Sequence, residues 1–357
     1  MSRPLTIWGS ASPADLVGRA STHRPFPLDD PSCRLFARAR HALWAGVCQL
    51  GLGDGDEVLV PAFHHGSEIE ALVKAGLTCR FYEIDTSLEP DESRLSALVG
   101  ARTKALLLIH YMGRPQPIRR WREWCDERGL LLLEDAAQSW LAGTEGAPVG
   151  STGDLAIFCL YKTVPTPDGA ALICDPAPTA PTRRKLGVVS SARGVVERFP
   201  SVKRVARRVL RRDQSQSRDA HDEFALGDPD TAPAWISTWM LSRLIDPTIP
   251  SQRRANYAQL AKELETFVRA PFDELPPEAS PMLLPLTVPR DEKQDVLDRL
   301  AHDDIEGVDF WSVPHPSLPV EEFPRSAELR ATVVGVPVHQ GLREQDLVRI
   351  ACAVRGG

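Results

Sequence analysis

The chain predicts an α/β fold, a mostly parallel sheet wrapped by helices with a smaller α+β domain after it, and three observations carry that prediction. Between residues 34 and 174, short apolar runs alternate with stretches of helical periodicity at close spacing, the pattern of strands joined by crossover helices. Several runs are apolar throughout instead of alternating, as strands buried on both faces are. After Cys174 the alternation stops, and a second set of strand and helix patterns begins near residue 281.

Taken in order, residues 1–33 are rich in Pro and Ser with little periodicity and read as an N-terminal arm or lid. From Arg34, RLFARARHALWAGVCQLGL places Leu35, Ala39, Ala42 or Leu43, Val47 and Leu50 at helical spacing and ends at Gly51 and Gly53, which predicts a helix with a glycine stop. Val58 to Val60, before Pro61, is a short buried strand. HHGSEIEALVKAG is a helix with Ser67 as candidate N-cap and Gly76 as terminator. CRFYEID, KALLLIHYMG and LLLEDA read as strands, separated by the helices DESRLSALV and PIRRWREWCDERG.

Beyond Cys174, residues 183–212 hold 11 Lys or Arg against the single acid Glu197. Val202, Val205, Ala206, Val209 and Leu210 form an apolar stripe within them, so a basic amphipathic helix is predicted. Such a run is either a solvated face or a rim that attracts an anionic substrate. WISTWMLSRLIDPTIPSQRRANYAQLAKELE resumes helical periodicity with breaks at Pro247 and Pro250. LLPLTV, VDFWSV and VVGVPV then read as strands, KQDVLDRLAHDDI and EQDLVRIACAVR as helices. The predicted division is an arm over 1–33, a large domain over 34–245 with a basic insertion at about 183–230, and a small domain over 246–357.

With 357 residues, 43% apolar and 25% charged, the composition is that of a soluble globular protein, and no apolar run is long enough to span a bilayer. The N-terminus lacks an uninterrupted apolar signal segment, so the chain reads as cytoplasmic. A formal charge of −6 argues against general nucleic-acid binding. Seven scattered cysteines, none in a C-x-x-C spacing, suggest neither a disulfide framework nor a metal site.

Two of the strands end in chemistry. The run Leu130 to Leu133 delivers the acidic pair Glu134-Asp135, and the run Leu155 to Tyr161 delivers Lys162, followed by Pro165, Pro167 and Gly169. In open α/β sheets ligands bind outside the carboxyl ends of strands, so both groups are expected at one crevice. Pyridoxal phosphate (PLP) needs this pair: a lysine to hold it as a Schiff base and an aspartate to keep its ring nitrogen protonated. The plainer alternative is a solvent-facing lysine and an N-cap aspartate before Ala136-Ala137.

The order of motifs resembles the DegT/StrS-type sugar aminotransferases, which are fold-type-I PLP enzymes. The resemblance runs from about Leu35 to Arg355 and rests on GDGDEVLVPAF, EDAAQ at 134–138, GSTGDLAIF at 150–158 leading to Lys162 and PDGA, RRANY at 253–257, and VPVHQGL at 336–342. It implies that Lys162 attaches the cofactor and moves the substrate proton, that Asp135 pairs with the ring nitrogen, and that Gln138 reaches the ring hydroxyl. His65, or His64 beside it, takes the place of the residue stacked on the ring. The phosphate is expected at the N-terminus of the helix starting near Ala39, where free N–H groups favour an anion.

Here the family's Ser-Gly-Thr is replaced by Arg38-Ala39-Arg40, and Arg40 offers a charge-assisted bond instead. Cys159 stands where a phosphate-binding serine often lies, PDGA replaces DGG, and the segment before Lys162 is short. No counterpart of the cross-subunit Asn-Tyr-Arg-Met signature occurs between Leu226 and Trp235. His64, His339 and Trp311 are candidate substrate contacts, with core packing as the alternative for His339 and Trp311.

The expected function is transfer of an amino group from a glutamate-like donor to a keto substrate, a nucleotide-linked sugar, by a homodimer. The alternatives are another PLP reaction, such as elimination or carbon–carbon bond formation, or a non-catalytic relative.

Overall fold

The structure is a computed structural model that describes residues 3–11, 16, 20–184 and 224–356. A seven-stranded sheet organises the first half: β1 (Arg34–Phe36), β2 (Glu57–Pro61), β3 (Thr78–Tyr82), β4 (Thr103–Ile109), β5 (Leu131–Asp135), β6 (Leu155–Cys159) and β7 (Ala170–Cys174). Their spatial order is β1-β7-β6-β5-β4-β2-β3. The pairings among β2 to β6 are parallel, whereas β7 runs antiparallel to both β6 and β1.

Helices α1 (Ala39–Gln49), α2 (Ser67–Lys74), α3 (Glu92–Leu98) and α4 (Ile118–Asp126) connect the strands. The unbroken apolar runs follow from this layering. In β4, Ala105 and Leu107 join a cluster with Val47, Ile69 and Leu72, while Leu106 and Leu108 join the opposite cluster with Ile118, Trp121 and Trp124. Successive side chains thus point into two different cores. Gly46 lets α1 lie directly on the sheet, since a Cβ there would come within 2.2 Å of Leu155 Cδ1.

Three sequence expectations are corrected. Leu35 is not helical: it pairs with Ala171 in β1, and α1 begins only at Ala39. A three-residue edge strand leaves no periodic trace, so the apolar spacing of the helix runs on into it. Ser67 is the first residue of α2 instead of its cap; the cap is Gly66 at φ 111, and the Glu68 carboxylate accepts from the His65 N–H instead. Pro250 does not break a helix but lies in the first turn of α6 (Ile249–Glu263), where its missing N–H costs nothing.

The remainder holds α5 (Trp235–Leu244), α6, β8 (Leu283–Thr287), α7 (Lys293–His302), β9 (Val308–Asp309), α8 (Pro324–Thr332), β10 (Val333–Pro337) and α9 (Glu344–Arg355). β10 sits between β8 and β9, antiparallel to both. Helix α8 escaped the sequence reading because it buries only Ser326, Leu329 and the cation Arg330, which is no apolar stripe. Of the VDFWSV strand only Val308–Asp309 pairs.

Residues from the N-terminal stretch read as an arm pack against this unit. Leu5 bridges to Ile305, and Leu5 and Ile7 are buried. Within the basic stretch, Arg183–Arg184 pairs with Thr231–Ala232, and the predicted amphipathic helix lies outside the described residues. Among the described residues no helix is long and apolar enough to cross a membrane, and no cluster of His, Cys, Asp or Glu could hold a metal.

Candidate active site

Chain order reverses across β2 and β4, and this is where an open α/β sheet leaves a crevice at its carboxyl edge. An inner cavity of about 120 Å³ opens there, walled by Ala39 and Arg40 from α1, by His65 and Glu68 after β2, by Asp135 and Cys159 at the ends of β5 and β6, and by Gln138 and Lys162 just beyond them. Eight of the sequence candidates line it: Lys162, Asp135, Gln138, His65, Ala39, Arg40, Cys159 and Trp311.

The period of two in β5 divides the acidic pair. Glu134 turns away to accept from His110 Nε2 at 2.9 Å and from the N–H groups of Gly150, Thr152 and Gly153 at 3.0, 3.0 and 2.5 Å. It is a structural carboxylate. Asp135 faces the cavity and accepts from the Ala137 N–H at 2.8 Å. Burial and the charge of Glu68 push its pKa up to about 7, against the pull of Lys162 and the Ala137 N–H. Gln138 gives its amide oxygen to the Met112 N–H at 2.6 Å, which directs its NH2 end to other partners.

β6 ends in the tight turn Leu160–Lys162, which carries the lysine into the cavity. Burial depresses its pKa, but Cys159, Tyr161, Asp135 and Glu68 outweigh it and hold the ammonium above the ordinary lysine value. Arg253 of α6, 1% exposed, donates to the carbonyls of Thr163 at 2.9 Å and Lys162 at 3.3 Å. Gln340 accepts from Arg253 Nε at 2.9 Å and donates to Thr163 O at 3.0 Å. The RRANY and VPVHQGL motifs therefore meet beneath the lysine turn. The Asp168 of PDGA accepts from the Ser237 hydroxyl and the Ala234 N–H, tying the turn to the start of α5.

α1 opens onto the cavity with no side-chain cap and no acid in its first turn, so its N-terminal dipole favours an anion. Arg40 borders the same place, and its Nη1 donates to Ala225 O at 2.8 Å. Glu68 was missed from sequence. Burial opposes its ionisation, yet the nearby His65 ring and main-chain N–H groups hold it below the usual carboxylate range.

An outer chamber of about 340 Å³ adjoins Lys162 and Gln138, with Trp8, Phe224, Phe310 and Trp311 among its walls. Trp311 holds a left-handed backbone (φ 55) and packs on Phe310 and Phe63 at 4.7 and 4.9 Å between ring centroids. Arg330 pins it: its guanidinium donates to the carbonyls of Trp311 at 2.5 Å, Ala62 at 2.7 Å and His64 at 3.1 Å. Neither arginine was singled out for such a role, because a buried cation bonded to main-chain carbonyls has no local sequence signal.

His64 and His339 are corrected as substrate contacts, since neither lines the cavity or the chamber. His64 is fully buried, with Nδ1 2.8 Å from Pro61 O and its ring stacked on Phe81. His339 lies beneath Gly9 and accepts from the Gly341 N–H at 3.1 Å. Burial pushes both pKa values down to about 3.

Comparison with known proteins adds three findings. The model of the DegT/DnrJ/EryC1/StrS aminotransferase family matches residues 34–200. A GDP-perosamine synthase of Vibrio cholerae is 32% identical over 137 residues, 38% of this chain and 37% of the relative. A dTDP-4-dehydro-2,3,6-trideoxy-D-glucose 4-aminotransferase of Saccharopolyspora spinosa is 32% identical over 148 residues, 41% of this chain and 38% of the relative. The matches thus span well under half of these relatives' length. Among solved structures, the aminotransferase TlmJ of Streptoalloteichus hindustanus superposes with a TM-score of 0.66 at 21% identity, covering 91% of this chain and 85% of that one. At that identity the likeness is one of fold.

Proposed function

From a chain whose residues 34–200 match the DegT/DnrJ/EryC1/StrS aminotransferase family, we propose a PLP-dependent aminotransferase that carries an amino group from a glutamate-like donor to a nucleotide-linked keto sugar. One observation carries the reading: Asp135 and Lys162, from the ends of adjacent parallel strands, face one buried cavity at the uncapped N-terminus of α1. A dianionic phosphate, a ring nitrogen needing a proton partner and an aldehyde needing an amine are matched by these three features.

In this reading Lys162 attaches the cofactor and, once freed, moves a proton at the substrate carbon. Bound there, PLP supplies an electron sink for negative charge on that carbon. Asp135 shares its proton with the ring nitrogen. Gln138 donates to the ring hydroxyl, the α1 N-terminus and Arg40 take the phosphate with Cys159 beside them, and His65 and Trp311 shape the walls. Two relatives named for sugar-nucleotide chemistry support the acceptor class.

The same reading includes a cytoplasmic homodimer, a PLP domain over 34–245 and a small domain over 246–357. It is tested by the visible spectrum with PLP, before and after L-glutamate, for wild type and Lys162→Ala. A lysine-dependent band that bleaches with glutamate is expected. A band insensitive to amino donors would overturn transamination, and no band would overturn the cofactor.

A further inference from the structure

Trp8 comes from far outside the matched residues, yet it stands at the reacting end of the cleft. Its ring centroid is 5.7 Å from Lys162 Nζ, and it walls the outer chamber together with Phe310 and Trp311. It reaches this place because the segment before it is held in several ways. Leu5 donates its N–H to Asp304 O and accepts from the Glu306 N–H, at 2.9 and 2.8 Å. The Ile7 N–H donates to Glu306 Oε2 at 3.1 Å, and Arg3 pairs with Asp346 at 2.8 Å. Gly9, at φ 78, lies so close over His339 that an added Cβ would meet Nδ1 at 3.1 Å. His339 is therefore the seat of the turn that follows Trp8.

The chamber's chemistry narrows what it would take. Phe224, Phe310, Trp311 and Trp8 line it, and Asp309 is the one carboxylate among its described lining residues. Aromatic walls with few charges suit a ring that offers an apolar face and a polar edge. A pyranose is such a ring: its axial C–H groups, slightly positive, pack on the negative face of an indole while its hydroxyls point sideways.

We propose that Trp8 is a specificity-determining residue of the acceptor site, its indole packing on the C–H face of the acceptor's sugar ring beside Lys162. The proposal rests on the aminotransferase reading for the acceptor's class. It adds that residues 3–11 are part of the active site and not a peripheral arm.

The test measures the affinity of the PLP-loaded full chain for dTDP and for dTDP-glucose by calorimetry, in wild type, Trp8→Ala and Trp8→Phe. In wild type the glucose should improve affinity by roughly five- to tenfold. Trp8→Ala should lose that gain, Trp8→Phe should keep most of it, and affinity for dTDP should stay alike in all three. Retention of the Lys162-dependent band in Trp8→Ala checks that the variant is folded, and Trp8→Phe decides the matter if it is not. Absence of a glucose gain in wild type, an equal gain in Trp8→Ala, or its loss in Trp8→Phe overturns the proposal. Failure of the aminotransferase reading is separate: the glutamate response is then absent while the glucose gain can persist.

Discussion

Arg253 donates its guanidinium to the Thr163 carbonyl at 2.9 Å, one residue beyond the lysine that reaches into the cavity. With Gln340 on the same carbonyl at 3.0 Å, the turn carrying Lys162 is held from below by two side chains 87 residues apart. Arg253→Ala leaves buried carbonyls without donors and should destabilise the protein by about 2–5 kcal/mol. Urea denaturation measures this. Arg253→Lys should recover only part of the loss, because an ammonium cannot reproduce the fork.

Asp135 carries a pH signature of the opposite sign to an ordinary paired carboxylate. Its folded pKa, about 7, lies above the reference value of 3.8, so the folded state binds more protons between these values. Its contribution to stability is greatest below pH 4 and is lost as pH rises to 7. Asp135→Asn should therefore stabilise the cofactor-free protein relative to wild type, by more at pH 8 than at pH 5, while weakening PLP binding. Thermal melts of both proteins at the two pH values decide it.

His64 and His339 act in the other direction. Their folded pKa values of about 3 lie below the reference 6.5, so their contribution is present above pH 6.5 and is lost as pH falls toward 3. Wild type should lose stability through that window, and His64→Asn or His339→Asn should flatten the profile. An unchanged slope in both variants would contradict these assignments.

Gly46 tests how tightly α1 lies on the sheet. The 2.2 Å approach of an added Cβ to Leu155 Cδ1 forces Leu155 or the helix to move. Gly46→Ala should cost about 1–3 kcal/mol despite alanine's better helix propensity. Combined with Leu155→Ala, which opens the space, the loss measured by denaturation should be smaller than the sum of the two single losses.

Residue order alone determined the layered architecture, because a strand buried on both faces must be apolar at every position and a crossover helix must repeat at 3.6. It also determined that a carboxylate and an amine end neighbouring strands, since strand ends are local features. Beyond this it was ambiguous. Which of Glu134 and Asp135 faces the cavity depends on the register of β5, a shift of one residue exchanging the two faces.

His64 and His65 are adjacent in sequence, and only the loop after β2 sends the first into the core and the second to the cavity wall. Arg330, Arg253, Glu68 and Trp8 gained their places from packing between segments far apart in the chain. Periodicity reports how a residue relates to its near neighbours. The convergence of Trp8, Lys162 and Trp311 on one chamber is a relation among segments some 150 residues apart, and only the tertiary structure decided it.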